Sequence, residues 1–167
     1  MLEASTAHST NRRVVMRMEA PDCIVAFSFS SAGKSIKGAS AADAAIGMQI
    51  LSSKWEGFPP PVLAQKGVAA YFKSNPRITL IVLEETSLYK AACEARAHMQ
   101  KNGWKTCAVA SHEDREELCV RMMKELEAEV AGTVTSGCYD SNAKEFFKRS
   151  RWRSRWLWKP FELFFYR

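Results

Sequence analysis

The sequence lacks any uninterrupted apolar run approaching 18 residues, so no stretch has the length of a membrane-spanning helix. Residues 1–13 are polar and lack the apolar core of a secretion signal, and the expected location is cytoplasmic. Cysteine is sparse and odd in number: Cys23, Cys93, Cys107, Cys119 and Cys138 stand far apart, with no C-x-x-C pair. That argues against a disulfide framework or a zinc knuckle and for reduced, mostly buried thiols. No metal-ligand set stands out, no cofactor is named by a motif, and no repeat recurs at a solenoid period.

What is present is a globular balance, 47% hydrophobic and 25% charged residues in a chain of 167, enough for one domain with a sizeable core. The net charge of +6 is unevenly placed. From Lys144 onward there are eight basic residues (Lys144, Lys148, Arg149, Arg151, Arg153, Arg155, Lys159, Arg167) against Glu145 and Glu162, which leaves sixteen of each sign before them. Basicity therefore belongs to the tail, not to the fold.

Residues 1–20 read as a loosely held lead-in to a single domain over 21–167. Asp22 to Phe29 is a short run of β-formers, a buried strand. A Ser/Gly/Lys loop spans Ser30 to Gly38, and Ser40 caps a helix to about Lys54, with Ala42, Ala45, Ile46 and Ile50 on one face. Val62 to Gln65 is a second strand, followed by a short helix over Val68 to Lys73. Ile78 to Leu83 is continuously apolar, as expected of a central parallel strand. Ser87 to Asn102 is a helix stopped by Asn102-Gly103. Lys105 to Ala110 is the next strand. Ser111 opens a helix whose buried stripe is Cys119, Met122, Met123 and Leu126, and Glu129 to Thr135 is a fifth strand. Repeated strand–helix alternation predicts a three-layer, Rossmann-like α/β fold: a parallel sheet of about five strands, flanking helices and a basic aromatic C-terminal helix.

Ligands of such sheets sit beyond the carboxyl ends of the strands. That gathers Ser28 to Lys34, Gln65-Lys66, Glu84 to Ser87, Ser111 to Arg115 and Ser136 to Asp140 on one rim. Ser28 through Gly33-Lys34-Ser35 approximates a phosphate-cradling G-x-x-x-x-G-K-[ST] loop, but with Ser28 at the first glycine position. A degenerate P-loop, a polar loop for some other anion (Ser28, Ser30, Ser31, Lys34) and a plain flexible loop all fit that segment. Glu84-Glu85 offers carboxylates for acid/base work or for holding a metal or, beside the Ser87 cap, a plain solvated pair. His112 and Arg115 open a helix where a phosphate or carboxylate could bind, with His112 as proton donor; an exposed, solubilising helix start is the plainer reading.

The tail 144–167 alternates Trp152, Trp156, Trp158 and phenylalanines with arginines. It suits packing on the sheet with its cations in water, contact with an anionic membrane surface, or, least well, nucleic acid.

From Ile78 onward the chain resembles the YdcF/SanA/ElyC-like proteins, a bacterial group with a domain of unknown function. The pieces are Leu83-Glu84-Glu85-Thr86-Ser87, Gly103-Trp104-Lys105 through Val109-Ala110-Ser111, His112 to Arg115, Tyr139-Asp140, and Trp156 to Glu162. The resemblance covers roughly the last ninety residues well and Asp22 to Lys66 in outline. It implies a Rossmann-like sheet binding a small anionic ligand: a nucleotide, S-adenosylmethionine, or the pyrophosphate of a lipid substrate that an envelope-linked hydrolase would cleave. With the rim residues above, the leading expectation is then Glu84 or Glu85 as carboxylate, His112 as proton donor, and Arg115 with Lys34 as anion clamps, with Ser28, Ser30, Ser31, Gln65, Ser87, Ser111 and Asp140 lining the ligand. The chain also departs from the family. The Gly-rich turn after the first strand reads Ser28-Phe29-Ser30-Ser31, and the T-x-E-N helix start reads Lys90-Ala91-Ala92-Cys93. Those losses remove polar groups that catalysis would draw on. The other expectation is therefore a non-catalytic binding or adaptor module whose tail reaches a partner or the inner-membrane surface.

Overall fold

The computed structural model describes residues 20–29, 39–55 and 57–137. Five strands form one sheet: β1 (Cys23–Ala26), β2 (Val62–Gln65), β3 (Leu80–Leu83), β4 (Thr106–His112) and β5 (Glu129–Ser136). The helices are α1 (Ala39–Ser52), α2 (Lys66–Ala69), α3 (Leu88–Asn102) and α4 (Glu116–Glu125), with one 3-10 turn at Glu113–Arg115. The spatial order is β3-β2-β1-β4-β5, and every pairing is parallel. This is the expected three-layer, Rossmann-like α/β fold.

Parallel neighbours need a crossover connection, and crossovers are right-handed. From β1 to β2 to β3 the chain steps one way across the sheet, so α1 and α2 fall on one face. From β3 the chain leaps back over β1 to β4, the direction reverses, and α3 and α4 fall on the other face. The core divides accordingly. Ile24, Ala26, Val62 and Ala64 pack with Ile46 and Ile50 of α1 and with Val68 and Phe72. Cys23, Val25, Leu63, Cys107 and Val109 pack with Leu88, Ala95 and Met99 of α3 and with Cys119, Met122 and Met123 of α4. Alternate residues of each strand serve opposite cores, which is why β1 and β2 are apolar at nearly every position. Each fully buried Val, Leu or Ile contributes about 1.5–3 kcal/mol relative to its exposed state.

The ends of α3 follow local chemistry. The Ser87 hydroxyl accepts from the Lys90 N–H, and Gly103 takes a left-handed conformation (φ 71°) that glycine, lacking a Cβ, adopts at no steric cost.

Two expectations are corrected, and one irregularity is added. β3 is an edge strand, not a central one, with Leu80, Ile81 and Val82 only half-buried. Its unbroken apolarity reflects two covered faces and says nothing of its place across the sheet. β4 continues through Ser111 and His112, where a helix start is predicted, because Ser111 pairs with Thr135 and His112 with Ser136 on the long β5. The α4 helix begins only at Glu116. Finally, Cys107 pairs with Val130 but Ala108 with Gly132, so Ala131 is an extra, bulged residue. The bulge inverts the alternation along β5: Val130 packs with the α3/α4 core and Val134 with the α1/α2 core. Among the described residues no helix is long and apolar enough to cross a membrane.

Candidate functional site

The buried polar residues of the described chain are Ser28, Asp43, Gln65, Ser111, His112 and Ser136. Gln65, Ser111, His112 and Ser136 end strands β2, β4 and β5, and Ser28 lies two residues past β1. Asp43, near the start of α1, is hydrogen-bonded to the segment after β1. Buried polarity is thus confined to the carboxyl rim of the sheet. Burying such groups costs free energy unless they are hydrogen-bonded, so their confinement marks a place where polarity is required.

The β1 side of the rim is tightly tied. The Ser28 hydroxyl donates to Asp43 Oδ2 (2.8 Å), and the Phe29 N–H donates to Asp43 Oδ1 (2.7 Å). The Ser28 N–H donates to Gln65 Oε1 (3.0 Å). The Gln65 amide in turn donates to the carbonyls of Glu85 (3.0 Å) and Thr86 (3.3 Å). One side chain on β2 therefore links the segments that follow β1 and β3. Gly67 sits against this knot. A Cβ there would lie 2.4 Å from both Asp43 Oδ2 and Ser28 Oγ, so only glycine fits without displacing them. Glu94, in the second turn of α3, accepts from the Glu84 and Glu85 N–H groups through its two oxygens (3.1 and 3.0 Å).

The strand order reverses between β1 and β4, which opens the crevice where open α/β sheets bind ligands. Phe29 and His112 meet there, ring centroids 4.6 Å apart and planes tilted by 46°. The Arg115 guanidinium lies 4.8 Å over the other ring partner, Phe29, a cation–π contact. Arg115 also donates to the Ser28 carbonyl at 3.4 Å. The His112 ring is fully buried, and its Nδ1 accepts from the Asp114 N–H (3.2 Å). That bond assigns the proton of the neutral ring to Nε2. Burial pushes the His112 pKa below its usual value, against the opposing pull of Asp114 and Glu113. His112 is therefore a neutral imidazole near pH 7, suited to donating a hydrogen bond from Nε2 more than to delivering a proton as imidazolium.

The predicted site residues separate into groups. Ser28, Gln65, Ser111, His112 and Arg115 gather at the ends of β1, β2 and β4. Ser87 caps α3. Glu84 and Glu85 are exposed beyond β3, and Glu84 is ion-paired with Lys66. They share the rim with His112 but are not its neighbours: β2 and β1 stand between β3 and β4, a separation of about 14 Å at ~4.8 Å per strand. Ser30, Ser31, Lys34 and Asp140 lie outside the described residues, as does the tail 144–167. In a phosphate-cradling loop the amides after β1 face the phosphate; here the Ser28 and Phe29 N–H groups are taken by Gln65 and Asp43.

Asp43, Gly67, Glu94 and Phe29 escape the sequence reading. Asp43 alone left a usable signal. It shares the inward face of α1 with Ile46 and Ile50, at i+3 and i+7, and a carboxylate on an apolar face must have a buried partner. Comparison with known proteins finds no matching family model, no matching curated protein and no matching solved structure.

Proposed function

We propose that the chain is a YdcF-like domain whose rim binds a small phosphorylated or nucleotide-like ligand at the reversal between β1 and β4. The supporting observation is the concentration of buried polar residues at this one rim, in a fold that has an all-apolar core elsewhere. Arg115 is half-buried at the crevice and supplies the cation, held in place by Phe29 and the Ser28 carbonyl. His112 supplies a neutral hydrogen-bond donor. Lys34, between β1 and α1 in the sequence, is the second cation in this reading.

Binding is favoured over turnover. A carboxylate base must come within hydrogen-bond reach of the reacting atoms, directly or through one water. Glu84 is paired with Lys66, and two strands stand between its own strand end and that of His112. A single phosphoryl group cannot touch both, whereas an extended ligand such as S-adenosylmethionine or a nucleoside diphosphate could lie along the rim from β4 to β3.

The test is calorimetric titration of the full chain with ADP, S-adenosylmethionine, inorganic pyrophosphate and a polyprenyl phosphate, alongside release of phosphate. We expect at least one of these to bind, and Arg115→Ala to weaken it about 10–100-fold, the loss of one charge-assisted hydrogen bond of about 1.5–3 kcal/mol. No binding across the panel, or binding indifferent to both Arg115→Ala and His112→Gln in folded variants, overturns the proposal. Phosphate release abolished by Glu84→Gln would overturn the preference for binding over turnover.

A further inference from the structure

A second surface stands apart from this rim. α4 lies over β4 and β5, and β5 is the last strand of the sheet among the described residues, with Glu129, Ala131 and Thr133 exposed. Between α4 and that strand runs an open groove of about 750 Å³. Its lining carries four carboxylates, Glu113, Glu116, Glu117 and Glu125, against two cations, Arg121 and Lys124, with Val120 and Thr133 between them. Glu116 is tied down by the Thr133 hydroxyl, which donates to it at 2.7 Å, while Glu117 and Glu125 are exposed.

The position of the chain at the end of β5 is the second observation. Gly137 immediately follows the strand and sits so close to Glu113 that a Cβ there would meet Glu113 Oε2 at 2.6 Å. The remaining residues, 138–167, therefore set out from the rim end of the groove. Six of them, 138–143, can span up to about 20 Å, more than the ~15 Å length of the ten-residue α4. After them comes the one strongly basic stretch of the sequence, with eight cations, two carboxylates and three tryptophans from Lys144 to Arg167.

We propose that segment 144–167 of the same chain is the occupant of the α4–β5 groove, its cations over Glu113, Glu117 and Glu125 and its aromatics against Val120 and the open side of β5. Charge complementarity selects it, and covalent tethering to the end of β5 raises its effective concentration at the groove over that of any separate chain. An anionic membrane attracts the same cations, so vesicles and groove compete for one segment. This inference does not rest on the ligand reading of the rim.

The experiment is zero-length carbodiimide cross-linking of the full chain, dilute enough to be monomeric, followed by mapping of the joined peptides. Intrachain amides from Lys144, Lys148 or Lys159 to Glu113, Glu117 or Glu125 are expected. They should be lost in Glu117→Lys with Glu125→Lys, and in Arg151→Glu with Arg153→Glu and Arg155→Glu. With both sets combined, new amides between positions 117 or 125 and positions 151, 153 or 155 should appear. Shielding of the tail tryptophans from acrylamide should follow the same pattern, and circular dichroism checks that the surface variants fold. Absence of these cross-links in the unaltered chain, cross-links that map elsewhere or only between chains, or cross-links indifferent to charge reversal would overturn the proposal. So would a tail that partitions onto phosphatidylserine vesicles while remaining quencher-exposed and uncross-linked in their absence.

Discussion

Replacing Gly67 by alanine sets two effects against each other, and the structure decides which prevails. Helix propensity alone favours the change, since alanine is better than glycine in a helix by about 1 kcal/mol. The added Cβ, however, would lie 2.4 Å from Asp43 Oδ2 and 2.4 Å from Ser28 Oγ. These two atoms form a buried hydrogen bond, so one of them has to move away from the other. Losing a bond to a charged acceptor costs about 1.5–3 kcal/mol, and a buried group left unsatisfied adds about 1–3 kcal/mol. The net expectation is destabilisation by about 1.5–5 kcal/mol, read as a lower urea midpoint with an unchanged slope. Faster amide exchange at Phe29, whose N–H is held by the same carboxylate, should accompany it. Ser28→Ala removes one of the two obstructing atoms, so its effect and that of Gly67→Ala should be non-additive by more than about 0.5 kcal/mol. Gly47→Ala is the milder comparison: its Cβ would come to 3.2 Å of the Tyr71 Cβ, a contact relieved by a shift of a few tenths of an ångström and involving no buried hydrogen bond. If Gly67→Ala proves as stable as the parent chain, or more stable, then close approach does not govern this site and the account of the Ser28–Asp43 knot fails.

Other outcomes follow from individual contacts. His112 has its folded pKa depressed, so the unfolded chain takes up the proton first as pH falls. Its contribution to stability is complete above the usual value of 6.5 and is lost as pH drops towards the folded value, at no more than about 1.4 kcal/mol per pH unit. Urea titrations of His112→Gln should show that slope removed, and a slope unaffected by the substitution would contradict the burial argument. Asp22 accepts from the N–H groups of Lys105 (2.8 Å) and Thr106 (2.9 Å), which join the starts of β1 and β4 and hold its carboxyl below the ordinary 3.8. Asp22→Asn should cost about 1 kcal/mol near neutral pH, the low end for a charged acceptor because the group is exposed. That difference is present above pH 3.8 and should disappear as pH falls through the lowered folded value; a constant difference would refute the role. Glu94→Ala should speed amide exchange at Glu84 and Glu85 while leaving Phe29 unchanged, because the two segments are held by different carboxylates. Burial pushes Cys23 and Cys119 up to about 12 and Cys107 to about 11, so these thiols should resist alkylation in the native protein until denaturant is added.

Much of the architecture is written in local patterns. Apolar strands alternating with amphipathic helices specify a parallel sheet between two helical layers, because each strand serves two cores and each helix one. The Ser87 cap and the Gly103 stop are legible for the same reason, since both depend on residues within one turn. The rim could be listed too, because it consists of whatever follows each strand. What the pattern leaves open is lateral order. Ile78 to Leu83 reads the same at the centre or at an edge, since its apolar faces are covered either way, and only the reversal of crossover direction after β3 places it at the end of the sheet. That order separates Glu84 and Glu85 from His112 and brings Phe29, His112 and Arg115 together across the β1–β4 junction. The same holds for the length of β4, where pairing with β5 outweighs the helix-start chemistry of Ser111, and for Gly67, whose need for space comes from Ser28 and Asp43 some forty and twenty-five residues away. Sequence spacing fixes which face a residue takes within its own element; which residues of other elements it meets is set by long-range packing, and on this rim the chemistry lies in those meetings.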